Sequence, residues 1–431
     1  MNDALIGITT FGCRVNQYES EAMARQFASA GTARGLPHTI HILNACSVTA
    51  LAEKKARQTA RRLRRENPSL RIVLTGCLAD AVEQGLTTFD EADLILPSAW
   101  KPHIAEAIAA WSQGERGTFG TAPAARLDDE RTDGPAHRVR AFLKVQDGCS
   151  GVCTYCHPTR LRGASRCKSI AAATDEARRL LDLGFPEIVL TGINLAEYDS
   201  PAGDLADLIR SILGRTDLTR LRLASINDVG ITSRLLNIMR EDPRVCRHFH
   251  VPLQSGSDRV LQRMARQTSV DAYMNRIAAV RDALPDATFG TDIIVGFPGE
   301  DEQDFAATCD AVSRVGFVNL HTFRYSPRPG TPAYRLPGAV PGAVKRERAL
   351  MLDRLWKDAL APLLDERVGR TEDILTEACR DGHGYGYTSD YLHVSYTSSH
   401  TVPIGRLHPV RITKATTTAL EGVDEYTADA R

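Results

Sequence analysis

The sequence predicts an α/β protein in three parts: an N-terminal parallel α/β domain, a central partial (βα)6 barrel and a small C-terminal antiparallel β-barrel. Three observations carry this. Over residues 1–120, short apolar strands alternate with helical stretches at slightly over ~30 residues per repeat, the length of a βαβ unit. Over residues 139–340, six further strands alternate with helices, the pattern of a barrel or partial barrel. From residue 369 short strands follow one another between Gly and Asp turns, as in a small β-barrel.

The 431 residues are long enough for two or three domains. They carry 53 Lys+Arg against 53 Asp+Glu, so whole-chain charge marks neither a nucleic-acid nor a membrane partner. The first residues lack a positive n-region and include Asp3, unlike a secretory signal. No apolar run approaches the ~20 residues that span a bilayer. Ten cysteines without export predict reduced thiols and a cytoplasmic protein.

In the first part, strands are predicted at 4–11, 38–44 and 70–75, with helices at 17–30 and 51–66. Each strand is followed closely by a cysteine: Cys13, Cys46 and Cys77. The carboxyl ends of parallel strands share one edge, where ligands bind. Three thiols distant in sequence should therefore converge, which predicts a three-Cys metal centre; unrelated buried cysteines are the alternative. The helix before the third strand carries Lys54, Arg57, Arg61 and Arg65 near one face. That stripe is either a phosphate contact or a solvated face. Residues 121–138 are polar and Gly-rich and read as a linker.

Barrel strands are predicted at 142–146, 187–191, 220–225, 248–253, 288–295 and 320–325. Helices are predicted at 170–183, 205–213, 233–241, 271–284 and 302–315. Function in such a barrel sits on the loops after the strands. Those loops carry Gly192 and Asn194, then Gln254-Ser-Gly-Ser257, then Gly296-Phe-Pro-Gly299-Glu300, and Asp292 is predicted to point inward. Residues 341–368 read as a helical connection to the β-barrel at 369–431. Its Tyr387, Tyr391 and Tyr396 either stack on bases or pack on their own sheet.

After the first barrel strand comes Cys149-Ser-Gly-Val-Cys153-Thr-Tyr-Cys156. Three thiolates this close can hold a 4Fe–4S cluster with one iron left open to bind another molecule. Zinc would want a fourth ligand, and His157 would have to fold back to supply it. A disulfide is disfavoured among reduced thiols.

The C-x3-C-x2-C stretch resembles the radical-SAM cluster loop. Thr10-Phe-Gly-Cys13-Arg-Val-Asn16, Asn44-Ala-Cys46-Ser-Val-Thr49 and Thr75-Gly-Cys77 resemble the N-terminal domain of the radical-SAM methylthiotransferases, and the tail is similar to their small RNA-binding barrel. Val145-Gln-Asp-Gly-Cys149, Leu190-Thr-Gly-Ile-Asn194 and Gly386-Tyr-Thr-Ser-Asp-Tyr-Leu392 look most like the branch acting on tRNA N6-threonylcarbamoyladenosine. The chain departs from the family pattern at His157-Pro-Thr159 and at Asn227-Asp228.

The resemblance implies two 4Fe–4S clusters and S-adenosylmethionine. The cluster on Cys149, Cys153 and Cys156 would cleave S-adenosylmethionine to a 5′-deoxyadenosyl radical. The cluster on Cys13, Cys46 and Cys77 would present sulfur, and a second S-adenosylmethionine would donate methyl. Tyr155, Gly192, Asn194, Ser225, Gln254, Gly296, Phe297 and Gly299 would line the cofactor and substrate pocket. The implied partners are a tRNA anticodon loop, whose unpaired adenine can be splayed into a pocket, and a one-electron donor such as a flavodoxin or ferredoxin. The alternatives are the same chemistry on isopentenyladenosine or on an aspartate of a ribosomal protein, and a non-catalytic Fe–S protein.

Overall fold

The computed structural model describes residues 6–29, 39–114, 120–135, 138–398 and 402–425. Residues 4, 5, 30 and 38, which the predicted first elements include, lie outside the described residues, as do linker residues 136 and 137 and the end of the last domain from 426. Strands Ile6–Thr10, Ile40–Asn44, Arg71–Thr75 and Leu94–Ile95 form one parallel sheet in that order. Two apolar cores lie against it. This is why Ile40–Asn44 is buried along nearly its whole length rather than alternating.

The central strands Arg140–Lys144, Glu187–Thr191 and Arg220–Leu223 form one parallel sheet. His248–His250, Thr288–Val295 and Asn319–Arg324 form a second. Parallel bridges from Leu221 to Val245 and from Ser225 to His250 join them in chain order, giving the partial (βα)6 barrel around one core. The predicted strand at 248–253 stops at His250. Pro252 has no N–H to continue the ladder, and the chain turns through Gln254, at φ 73°, before bridging Ile293. Helix Arg14–Ser29 of the first domain packs beside Arg140–Lys144, with Tyr18 and Ala22 inside the barrel's core.

Residues 120–135 are not a free tether. Thr132 N donates to Glu176 Oε1 at 3.0 Å, and the Glu130 carbonyl accepts from Tyr18 Oη at 2.8 Å. The segment is held by buried charge that its polar composition did not distinguish from solvated loop. Helix Gly342–Asp365 leads to the last domain.

That domain is a closed five-stranded barrel ordered Thr371–Arg380, His383–Tyr387, His393–Thr397, Leu420–Asp424, Leu407–Ala415. It is not wholly antiparallel: His393–Thr397 runs parallel to Leu420–Asp424. Closure requires this, because the last strand fills the gap between the third and fourth rather than extending an edge. Tyr396 is buried in this barrel. Tyr387 and Tyr391 face the central barrel instead: Arg140 lies over both rings, and His248 stacks on Tyr391 at 4.9 Å. Among the described residues no helix is long and apolar enough to cross a membrane.

Candidate metal centres and the space between them

The first three cysteines sit at the carboxyl edge of the N-terminal sheet. Backbone bonds tie the strand-end loops together: Phe11 N to Asn44 O at 2.9 Å, Ala45 N to Thr75 O at 2.9 Å and Leu78 N to Ala45 O at 3.0 Å. Gly12, at φ 115°, lies so close to Cys46 that a Cβ there would stand 2.5 Å from Cys46 Cβ and 3.1 Å from its sulfur. Only glycine permits that approach. Cys13 is exposed, and Cys46 and Cys77 are buried. Burial, then the neighbouring Cys77 and Cys13, push the Cys46 thiol up to about 12. Burial also raises Cys77, against the opposing charge of Arg162. Cys46 and Cys77, held this way, keep their protons until a cation arrives, the behaviour expected of metal ligands.

The second three lie on the loop after Arg140–Lys144. Cys149 N bonds Gly163 O at 3.0 Å, Cys156 N bonds Cys153 O at 3.1 Å and Thr154 N bonds Met264 O at 2.9 Å, which fastens the loop across the barrel mouth. Burial, then a hydrogen bond to Glu197, push Cys149 up to about 12. Arg266 stands beside Cys153 and Tyr155. Among the described residues no three His, Cys, Asp or Glu side chains close on the dimensions of a single ion. Three thiols on one loop are the donor set of a 4Fe–4S cluster that leaves one iron open.

The predicted pocket residues divide. Gln146 Oε1 accepts from Asn194 N at 2.9 Å and would block a Cβ on Gly192 at 2.7 Å, so the second loop folds against the root of the cysteine loop. Ser225 O accepts from Leu195 N, and Gln254 bridges the fifth strand. These four residues gather around the barrel mouth. Phe297 is fully buried in a separate apolar cluster, against which the partly buried Tyr155 packs, and meets Tyr325 edge-on at 5.3 Å. Gly299 packs on Gly338 and Arg263, and a Cβ on Gly296 would strike Lys345. At both glycines the chain packs too closely to admit a side chain.

Sequence reasoning missed the residues between the two sites. Ser47, next to Cys46, meets His157, next to Cys156: Oγ to Nδ1 is 2.9 Å. His157 therefore turns away from its own loop toward the N-terminal domain, as zinc ligation would not have it. Arg328 joins Ser47 Oγ at 3.3 Å and pairs with Glu53. Arg162 Nη1 donates to Glu19 and Asp147, at 2.8 Å each, and Nη2 donates to Asn16 at 2.7 Å. Lys144 and Lys101 complete the buried cage around Glu19. Glu197 was also missed; its carboxylate takes Ser150 N at 2.8 Å and Asn194 Nδ2 at 3.0 Å. In the lumen, Asp292 points inward as predicted, 3.1 Å from His250 and 3.5 Å from His321.

The basic stripe is half neutralised. Arg57 and Arg61 share Glu91, whereas Lys54 and Arg65 are exposed and, among the described residues, meet no carboxylate.

Residues 143–312 match the family described as the Radical SAM superfamily, and residues 6–97 match the Uncharacterized protein family UPF0004. The chain is 35% identical over 413 residues to a threonylcarbamoyladenosine tRNA methylthiotransferase of Thermotoga maritima, covering 94% of each. It is 33% identical to the protein of that name from Bacillus subtilis, covering 96% of this chain and 94% of the other. It is 32% identical to a tRNA-2-methylthio-N(6)-dimethylallyladenosine synthase of Pelotomaculum thermopropionicum, covering 97% of each. Among solved structures, a radical S-adenosylmethionine methyltransferase from Kitasatospora setae matches with a TM-score of 0.53 at 14% identity, over 77% of this chain and 75% of that one, a likeness of fold.

Proposed function

The chain belongs to the radical-SAM methylthiotransferases, and on that premise we propose that it adds a methylthio group to carbon 2 of N6-threonylcarbamoyladenosine beside the tRNA anticodon. The observation that carries the chemistry is the meeting of two three-thiol loops through Ser47 and His157. When bound, the two 4Fe–4S clusters and S-adenosylmethionine supply radical generation, sulfur and methyl. The protein supplies placement. Glu197 and Asn194 brace the cysteine loop, and Gly192, Asn194, Ser225 and Gln254 line the S-adenosylmethionine site in this reading. Ser47 and His157 fix the separation of the two centres, so that one adenine carbon can face both. A one-electron donor such as a flavodoxin or ferredoxin completes the reaction.

The stretches Val145–Cys149, Leu190–Asn194 and Gly386–Leu392 favour that substrate; identities of 32–34% to dimethylallyl synthases, beside 32–35% to the threonylcarbamoyl relatives, keep the isopentenyl-type substrate as the second reading. Mass spectrometry of tRNA nucleosides from a deletion strain separates them. The expected result is loss of 2-methylthio-N6-threonylcarbamoyladenosine. Its persistence, with loss of the dimethylallyl nucleoside, would reverse the choice.

Lys54 and Arg65 are the unpaired charges of the stripe offered to phosphates. Converting both to glutamate is expected to raise the KM for tRNA roughly three- to tenfold, and most at low salt, because fewer counterions are displaced on binding. Steady-state kinetics at two salt concentrations check this. An unchanged KM removes this helix from the RNA interface.

A further inference from the structure

Arg14 is a cation in search of an anion. It opens the helix Arg14–Ser29 directly after Cys13, and its guanidinium reaches across to the central barrel, where Nη2 donates to Tyr391 Oη at 3.1 Å. There it lines a cavity of about 230 Å3 with Phe142, Arg138, Arg140, Arg222 and Glu377. The other arginines are neutralised: Arg138 by Glu21, Arg140 by Glu377 and Arg222 by Glu187. Among the described residues Arg14 has no carboxylate partner. A half-buried guanidinium that faces a cavity and is offered only a phenol is poised for a charge-assisted pair. The cavity exceeds several times the roughly 30 Å3 that one water takes, which is room for a small amino acid.

The substrate of the proposed reaction differs from an alkyladenine by such a group. A threonine, joined through a urea to N6, carries a carboxylate a few bonds from the ring edge that holds carbon 2. Sulfur must reach carbon 2 from the centre that Cys13 helps to form. Arg14 is the side chain that follows Cys13, and its cavity lies at that helix start. We propose that Arg14 binds the carboxylate of the threonylcarbamoyl group and that its cavity is the specificity pocket of the enzyme, an inference that rests on the substrate reading above. A neutral dimethylallyl group would desolvate Arg14 without compensating it, so the pocket selects against it.

The test uses the reconstituted holoenzyme and three anticodon stem–loop RNAs, one carrying N6-threonylcarbamoyladenosine, one its threonyl methyl ester and one the dimethylallyl nucleoside. Both kcat/KM for methylthiolation and RNA affinity by fluorescence anisotropy are measured. The wild type is expected to prefer the acid. Arg14→Gln is expected to lose roughly ten- to a hundredfold on the acid and little on the ester, the range of a hydrogen bond to a charged group. Arg14→Lys, which keeps the charge, is expected to retain part of the preference, and it serves as the test should the glutamine variant not fold. Equal losses on acid and ester, or a wild type that turns over both alike, would overturn the role of Arg14 alone. A wild type inert on both but active on dimethylallyl RNA would overturn the substrate reading itself.

Discussion

Cys149→Ala is expected to release no 5′-deoxyadenosine and to fall by about a thousandfold or more in methylthiolation, because the cofactor carries the chemistry and its open iron depends on three thiolates. Cys149 is one of three thiols on a loop fastened through backbone groups by Gly163, Met264 and, at Ser150 N, Glu197. Loss of one ligand leaves that scaffold intact. The variant should therefore stay folded and lose about half its iron, the share of one of two equal clusters. Cys46→Ala should lose a similar share of iron and the same methylthiolation, yet still give detectable 5′-deoxyadenosine, since the barrel loop is untouched. Iron and sulfide analysis, with chromatography of the nucleoside, reads the contrast. If Cys46→Ala released no 5′-deoxyadenosine, the division of labour between the two sites would be wrong.

The second large effect falls on stability. Arg162→Met is expected to cost about 3–5 kcal/mol, because it strands buried carboxylates rather than breaking a surface pair. The side chains of Arg162 and Glu19 are only 2% and 3% exposed. Arg162 joins helix Arg14–Ser29 to the barrel through Asn16, Glu19 and Asp147. The midpoint of anaerobic urea unfolding measures the loss. A change below about 1 kcal/mol, the range of an exposed pair, would show that the cage relaxes without it. The same cage sets an acid limit. Burial alone would raise Glu19, but Arg162, Lys101 and Lys144 hold it well below the ordinary value near 4.5. A depressed carboxylate stabilises the fold fully above its unfolded value and loses that contribution as pH falls. Unfolding free energy should thus decline below about pH 4.5, and Glu19→Gln should flatten the decline.

How far the sequence could be read depended on the kind of signal. Strands 187–191 and 288–295 and helices 233–241 and 302–315 coincide with their predicted limits, because each buries a continuous or periodic apolar face. The carboxyl-end position of Cys13, Cys46 and Cys77 followed from the repeat alone. The short helix His157–Arg162 was missed, since six residues hold too few turns for a period. The packing partners of Phe297 and Gly299, Tyr325 and Gly338, were not legible either, because a glycine needed for packing and one needed for a ligand look alike.

The sequence by itself determined the thiols, the strands they follow and the edge at which the first three cysteines meet. These rest on local periodicity, which records what an element buries on its own face. Only the tertiary structure decided that Ser47 meets His157, 110 positions away, and that Arg14 reaches Tyr391, 377 positions away. It also decided that Glu19 and Arg162 are buried rather than solvated. Charged residues carry the same letters in either setting, and only the docking of one domain on another removes them from water, where pairing becomes obligatory.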